Sequence, residues 1–348
     1  MQTDPVTTAR AGRPRAASLE FRAVSKRYGS GSGTPVAGTP GAVNNLSFEV
    51  PAGAICVLVG PSGCGKTTSL KMVNRLIEPS AGQILLDGVD VQTEDVTALR
   101  RRIGYVIQQV GLFPHLTVGR NVAVVPALVG WPKDRQRARS DELLTLVGLD
   151  PERYRDRYPA QLSGGERQRV GVARALAADP PLMLMDEPFA AVDPIAREGL
   201  QDEFLRLQGE LAKTILFVTH DVDEAIKMGD LIAVMEEGGR LAQFGAPDEI
   251  LAHPASDFVA RFVGADRGLK RLSLRTVADL KVEPAGRGDG LPTFAPATKL
   301  RDALSILLVA DTRGGIALDE AGRPRGLVTV DQIASALADE RPAAATRP

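Results

Sequence analysis

Apolar residues along this chain gather in short, solid runs. Residues 54–59 (Ala-Ile-Cys-Val-Leu-Val), 180–184 and 214–218 are apolar almost without a break, the pattern of strands buried on both faces. Residues 19–24 alternate as a strand does. After a Gly/Pro/Thr-rich connection at 29–42, residues 46–50 read as the returning strand, and 83–86 as another short one. Helical spacing over 67–76 places apolar residues at Leu70, Met72, Val73 and Leu76. From about residue 117 to 178 the character is helical, with 122–129, 135–147 and 169–177 as its segments and charged residues filling one face. Strand–helix alternation with fully apolar strands predicts an α/β fold, a mostly parallel sheet covered on both faces. The stretch 117–178 is expected to stand apart as a helical lobe.

The pattern changes after Phe262. Residues 264–275 are polar and basic, and 284–292 are rich in Gly and Pro, which reads as linker and loop. A second unit follows: helix 300–308, strand 315–319, turn 321–324, strand 326–329, helix 330–338. The expected organisation is a polar tail (1–18), a large domain (19–265), a small α/β domain (266–340) and a Pro/Ala-rich tail (341–348).

Composition changes this picture little. Charged residues make up 24% of the chain, and Lys plus Arg (42) nearly match Asp plus Glu (43), so bulk charge points to neither nucleic acid nor lipid. No apolar run approaches the about 18 to 20 residues of a spanning helix. Residues 1–18 carry Arg10, Arg13 and Arg15 without an apolar core behind them, which does not predict an export signal. Two cysteines, Cys56 in an apolar run and Cys64 in a glycine loop, suggest no disulfide framework and a reducing cytoplasm.

Three motifs carry chemistry. Gly60-Pro61-Ser62-Gly63-Cys64-Gly65-Lys66-Thr67, continued by Thr68, fits a phosphate loop and lies between a buried strand and a helix. Its glycines let backbone N–H groups converge on phosphate oxygens, and the helix start adds its positive end. Lys66 suits the β- and γ-phosphates of ATP, and Thr67 suits Mg²⁺. The run Leu182-Met183-Leu184-Met185 ends in Asp186-Glu187, so a buried strand delivers two acids to the carboxyl edge of the sheet. Asp186 then belongs to the Mg²⁺ shell, and Glu187 is the candidate general base. Ser163-Gly164-Gly165-Glu166 opens the third piece, a second helix start fit for phosphate. One nucleotide does not need two such sites in one chain, so this one is expected to complete the site of a second, identical chain.

In this order the motifs resemble the signature set of ATP-binding-cassette (ABC) ATPases, and the resemblance extends over residues 19–263. It implies a P-loop NTPase core with an antiparallel β subdomain and a helical subdomain, and a head-to-tail homodimer holding two ATPs. It also implies roles for further residues: Tyr28 stacking on adenine, Gln108 reaching Mg²⁺ and water, Asp193 in the loop crossing the dimer interface, and His220 at the γ-phosphate. Ala190 departs from the family, which usually has serine there. Residues 71–79, 104–115 and 191–194 look like the ATPases of quaternary-amine importers, which take up glycine betaine, choline and carnitine. Residues 322–333 are similar to the closing strand and helix of a cystathionine-β-synthase-type (CBS) module, of which one copy fits. The resemblance implies a place on the inner face of the cell membrane, integral permease subunits as partners and, indirectly, a substrate-binding protein. Importers of other small solutes share the catalytic motifs. An ABC protein of DNA repair or translation is disfavoured, because there is no heptad insertion, no second phosphate loop and no basic stripe.

Overall fold

The computed structural model describes residues 16–28, 41–107, 111–190, 192–282 and 290–337. Its contacts divide the chain into two compact units. One comprises residues up to Asp221 with Met228–Phe244; the other comprises Val222–Lys227 with residues from Gly245 onward.

The first unit opens on β1 (Leu19–Lys26) and β2 (Val43–Val50), antiparallel with Phe21 opposite Phe48. Those two rings stack with centroids 4.6 Å apart. β3 (Ile55–Val59) leads through the glycine loop to the helix Lys66–Val73. β4 (Ala81–Leu86) then returns to β1 and carries β5 (Val89–Asp90), completing a four-stranded antiparallel sheet ordered β2-β1-β4-β5. β6 (Ile103–Val106), β7 (Leu182–Asp186), β8 (Thr214–Val218), β9 (Leu231–Glu236) and β10 (Arg240–Gly245) join β3 in a second sheet. Its order is β10-β9-β3-β8-β7-β6, and β9, β3, β8, β7 and β6 run parallel.

Every residue of β3, β7 and β8 is buried, as their unbroken apolar runs require. Cys56, Leu58, Leu184, Leu216 and Val218 share one core with Leu70 and Val73 of the helix Lys66–Val73. Cys56 and Cys64 are both buried and free. The sheet order places the carboxyl ends of β3, β8 and β7 side by side, although they lie far apart in the chain. β9 and β10, and the helix Pro194–Leu211, add to what the hydrophobic pattern predicted.

Between β6 and β7 run the helices Val118–Val122, Val124–Leu128, Lys133–Leu146, Pro151–Tyr154 and Gly164–Leu176. Leu143 and Leu144 bury the inner face of Lys133–Leu146. Asn121, wholly buried, ties down the preceding segment: its Oδ1 accepts from the Phe113 N–H at 2.7 Å, and its Nδ2 donates to the carbonyls of Phe113, Leu116 and Thr117.

The second unit holds the predicted helix–strand–strand–helix. Helices Leu300–Val309 and Val330–Ser335 pack on a sheet of β11 (Thr293–Phe294), β12 (Gly314–Leu318) and β13 (Pro324–Thr329), in that order. Leu272, Phe294, Leu300, Leu307, Val328 and Ile333 form its core. At the hairpin, Asp319 Oδ1 accepts from the N–H groups of Ala321 and Arg323 at 2.9 Å, an Asx turn. This unit begins earlier than the 265/266 boundary read from composition. Within it, Arg271 is buried and grips Asp248 of the helix Pro247–Ala252 at 2.8 and 3.2 Å, which holds Asp248 below the usual carboxylate range. Among the described residues no helix is long and apolar enough to cross a membrane.

Candidate nucleotide site

The loop after β3 is shaped by backbone conformations that side chains resist. Gly65, at φ 96°, is the left-handed residue that starts the helix Lys66–Val73, with no side chain capping it. A Cβ there would collide with the Ala42 carbonyl, so the loop's close approach to that chain admits only glycine. Pro61, Ser62 and Gly63 form the rim, with Ser62 and Gly63 exposed, while Cys64 is buried and Thr68 is partly covered on the first helical turn. Lys66 is buried, and its Nζ donates to the carbonyls of Gly60 at 2.7 Å and Pro61 at 2.9 Å. Burial raises the Cys64 thiol's pKa against the opposing charge of Lys66, so the thiol stays protonated at the loop.

Thr67 and Asp186 meet. Thr67 Oγ1 donates to Asp186 Oδ1 at 2.9 Å across 119 residues of sequence. Burial pushes the Asp186 carboxyl above the ordinary range, and the Thr67 bond and the Lys71 charge work against that shift. Two hard oxygens so close together, beside a loop built for phosphate, are the donor set Mg²⁺ prefers. Among the described residues no cluster of three His, Cys, Asp or Glu offers a metal an all-protein cage. The residues present therefore fit a cation held jointly with phosphate oxygens.

Glu187 continues the chain in a conformation rare for a non-glycine residue, φ 45°. Its N–H bonds to the Val218 carbonyl at 2.9 Å, extending the β7–β8 ladder by one link. The side chain then lies against His220, whose Nδ1 is 3.2 Å from Glu187 Oε1. His220 is itself exposed beyond the end of β8. The predicted acid pair and the strand-end histidine thus converge at one edge of the sheet.

The second helix start is built differently. Ser163 caps Gly164–Leu176: its Oγ accepts from the Glu166 N–H at 3.2 Å, and its N–H donates to Glu166 Oε2 at 2.7 Å. The other carboxylate oxygen of Glu166 accepts from Tyr154 at 2.7 Å. These bonds, from Tyr154 first and then the Ser163 backbone, hold Glu166 below its ordinary pKa. Ser163, Gly164, Gly165, Asp193 and Glu203 line an open groove of about 670 Å³, which none of residues 60–68 lines. This groove is distinct from the phosphate loop in its lining.

Tyr28 is 59% exposed, not a core residue, with Lys26 Nζ 5.3 Å from its ring centroid. Gln108 lies outside the described residues. Three participants escaped the motif reading. Lys71 lies one helical turn beyond Thr67 and acts on Asp186. Tyr105 of β6 is pushed up to about 12 by burial and by the Asp186 charge. Tyr154 holds Glu166. None belongs to a motif; only the i, i+4 phase of the helix, which sets Lys71 one turn beyond Thr67, is a signal that could have found the first.

A phosphate loop at the end of a parallel strand, acids at the end of another, and a detached glycine-rich helix start together define an ATPase of the ATP-binding-cassette class. The family described as ABC transporter matches residues 43–190. The chain is 49% identical over 312 residues to the osmoprotectant import ATP-binding protein OsmV of Salmonella typhimurium, covering 89% of this chain and 78% of that one. It is 45% identical over 309 residues to the glycine betaine uptake system ATP-binding protein YehX of Escherichia coli, covering 88% and 96%. Among solved structures it resembles the dimeric ATP-binding cassette MJ0796 in a post-hydrolysis state bound to ADP and Pi, with TM-score 0.58 and 32% identity over 66% of this chain and 98% of that one. The chain belongs to the ATP-binding proteins of ABC transporters, and it binds and hydrolyses ATP in that capacity.

Proposed function

We propose that this chain energises the import of an osmoprotectant, a quaternary amine such as glycine betaine, choline or carnitine. Two copies would act beneath integral permease subunits at the inner face of the membrane, fed by a substrate-binding protein. The relatives above support the solute class, and their names carry osmoprotectant and glycine betaine uptake. The observation that carries the chemistry is the Thr67–Asp186 bond beside the Glu187–His220 contact.

In this reading residues 60–68 wrap the β- and γ-phosphates with backbone N–H groups, and Lys66 turns from loop carbonyls to phosphate oxygens. Tyr28 offers its exposed ring to the adenine. Thr67, Asp186 and Gln108 would hold Mg²⁺, which when bound would neutralise charge on the phosphate oxygens. Glu187 accepts a proton from the attacking water, and His220 orients that water and the γ-phosphate. Ser163, with its Oγ accepting from Glu166, keeps its O–H to donate to the γ-phosphate held by the other copy. Gly164 and Gly165 add N–H groups, Glu166 fixes the helix start, and Asp193 crosses between copies. The C-terminal unit is read as a single CBS-like module.

The test is transport. With its permease and binding protein in liposomes, the chain should drive ATP-dependent uptake of labelled glycine betaine. Uptake that is equal without ATP, or ATP-driven uptake of an unrelated solute with none of glycine betaine, would overturn the assignment.

A further inference from the structure

The Tyr154 hydroxyl sits where three parts of the helical lobe meet. Its own helix, Pro151–Tyr154, starts on Asp150, whose carboxylate accepts from the Glu152 N–H at 2.9 Å. Just beyond, the Arg155 and Arg157 carbonyls accept from the N–H groups of Gly119 at 2.9 Å and Val118 at 2.8 Å. Gly119 leaves no room between the helix and Arg155: a Cβ there would stand 2.6 Å from the Arg155 Cγ. Segment 154–157 is therefore bonded to the helix Val118–Val122, and through Asn121 to the loop 111–117. On its other side the Tyr154 O–H donates to Glu166 Oε1 at 2.7 Å, while Glu166 Oε2 holds the Ser163 N–H at 2.7 Å. Two guanidinium groups lie by the ring, Arg157 at 4.8 Å and Arg153 at 5.4 Å from its centroid.

We infer that Tyr154 is a positioning residue for the detached phosphate-binding helix start, setting Ser163 through Glu166 and tying its position to segment 111–122. The inference rests on the reading that Ser163 acts on the nucleotide of a second copy. A neutral hydroxyl on a carboxylate makes a strong, directional bond, and a carboxylate shared between Tyr154 and the Ser163 backbone has one orientation. Without Tyr154, Glu166 can turn to solvent, and the Ser163 N–H loses its fixed partner. The phosphate loop is untouched by that change.

The test uses the full chain in a Glu187→Gln background, where ATP is held. Adding Tyr154→Phe keeps the ring beside its arginines and removes only the hydroxyl. ADP affinity, measured by calorimetry, should be unchanged, while ATP-driven dimerisation should weaken by about tenfold, the effect of one charge-assisted hydrogen bond. In a Glu166→Ala background Tyr154→Phe should have no further effect, the coupling a double-mutant cycle isolates. Glu166→Ala alone reaches the same bond without altering the ring; because it also frees the Ser163 N–H, it should weaken dimerisation at least as much if Tyr154→Phe folds poorly. A dimer indifferent to Tyr154→Phe, or a loss of equal size with and without Glu166, overturns the inference and leaves the two-copy reading standing. If Glu187→Gln alone stays monomeric with ATP, the two-copy reading falls and takes this inference with it.

Discussion

Two helices of the first unit, Lys66–Val73 and Gly164–Leu176, both begin in glycine-rich sequence, and the positive end of each suits an anion. They solve the problem of uncapped N–H groups in opposite ways. At Lys66 no side chain caps the helix, and the preceding residue is a glycine in the left-handed region. The N–H groups are left for a ligand, and buried Lys66 and Cys64 hold the loop in shape around the place where it would lie. At Gly164 a serine and a glutamate cap each other reciprocally, and a tyrosine supports the glutamate. A helix start that holds its own ligand can depend on that ligand for its final hydrogen bonds. One completed by another molecule must be finished beforehand, so it carries its cap as side chains.

The comparison is broken most sharply where hydrolysis is measured. Glu187→Gln removes the base and leaves both helix starts intact, so ATP turnover should fall by about 10²- to 10⁴-fold with binding preserved. Steady-state ATPase and ATP binding in the same preparation check this, and turnover within a factor of a few of the unaltered chain would remove Glu187 from the mechanism. Lys66→Ala strikes the first helix start and should weaken ATP binding by roughly 100-fold, since two charge-assisted bonds to phosphate are lost. Ser163→Arg strikes the second: ATP binding stays near normal, and hydrolysis stops because a bulky cation occupies the place of the partner's γ-phosphate. Mixing the last two variants separates the starts. In a head-to-tail pair one composite site carries both lesions and the other neither, so partial ATPase activity should return. No recovery at any mixing ratio would mean that both starts serve one nucleotide.

What could be read from sequence follows the same division between local and distant. The phosphate loop and the Asp186-Glu187 strand end were legible because each is one continuous segment whose spacing is fixed by geometry. The Thr67–Asp186 bond required only that β3 and β7 end at the same edge, which buried parallel strands guarantee, although β8 lies between them. The strand order itself was not legible, because pairing is set by contacts between distant segments. β9 carries an apolar run as solid as that of β8, whereas β10 is half-buried along most of its length and gives little signal. Arginines were the least legible. Arg271 and Arg275 lie in the polar, basic segment that reads as a linker, and nothing in the pattern around Arg323 and Arg325 assigns them a partner. In the structure Arg271 grips Asp248, Arg275 donates to the Ala336 carbonyl, Arg323 pairs with Asp319, and Arg325 donates to the Ala278 and Leu280 carbonyls. Periodicity shows which face of an element is buried, but nothing about a partner 61 residues away, as between Arg275 and Ala336.

The smallest expected effect is the most direct measure of the difference between the two helix starts. Only the second is capped by a titrating side chain. Glu166 has a folded-state pKa below its ordinary value of 4.5, from its Tyr154 bond first and then the Ser163 backbone. A depressed carboxylate contributes stability that is fully present above the unfolded pKa and is lost as pH falls through the folded one. Glu166→Gln keeps an acceptor oxygen in place but never ionises. The melting temperature of the unaltered chain should therefore exceed that of Glu166→Gln at pH 7, by a modest amount because the group is only partly buried and solvent screens it. Below about pH 4.5 the gap should narrow and then close, as Glu166 takes up its proton. The lysine start has no counterpart, since Gly65 has nothing to titrate. A gap that is constant from pH 7 to pH 3 would mean that Glu166 caps the helix by shape alone, and that its charge plays no part in holding Ser163.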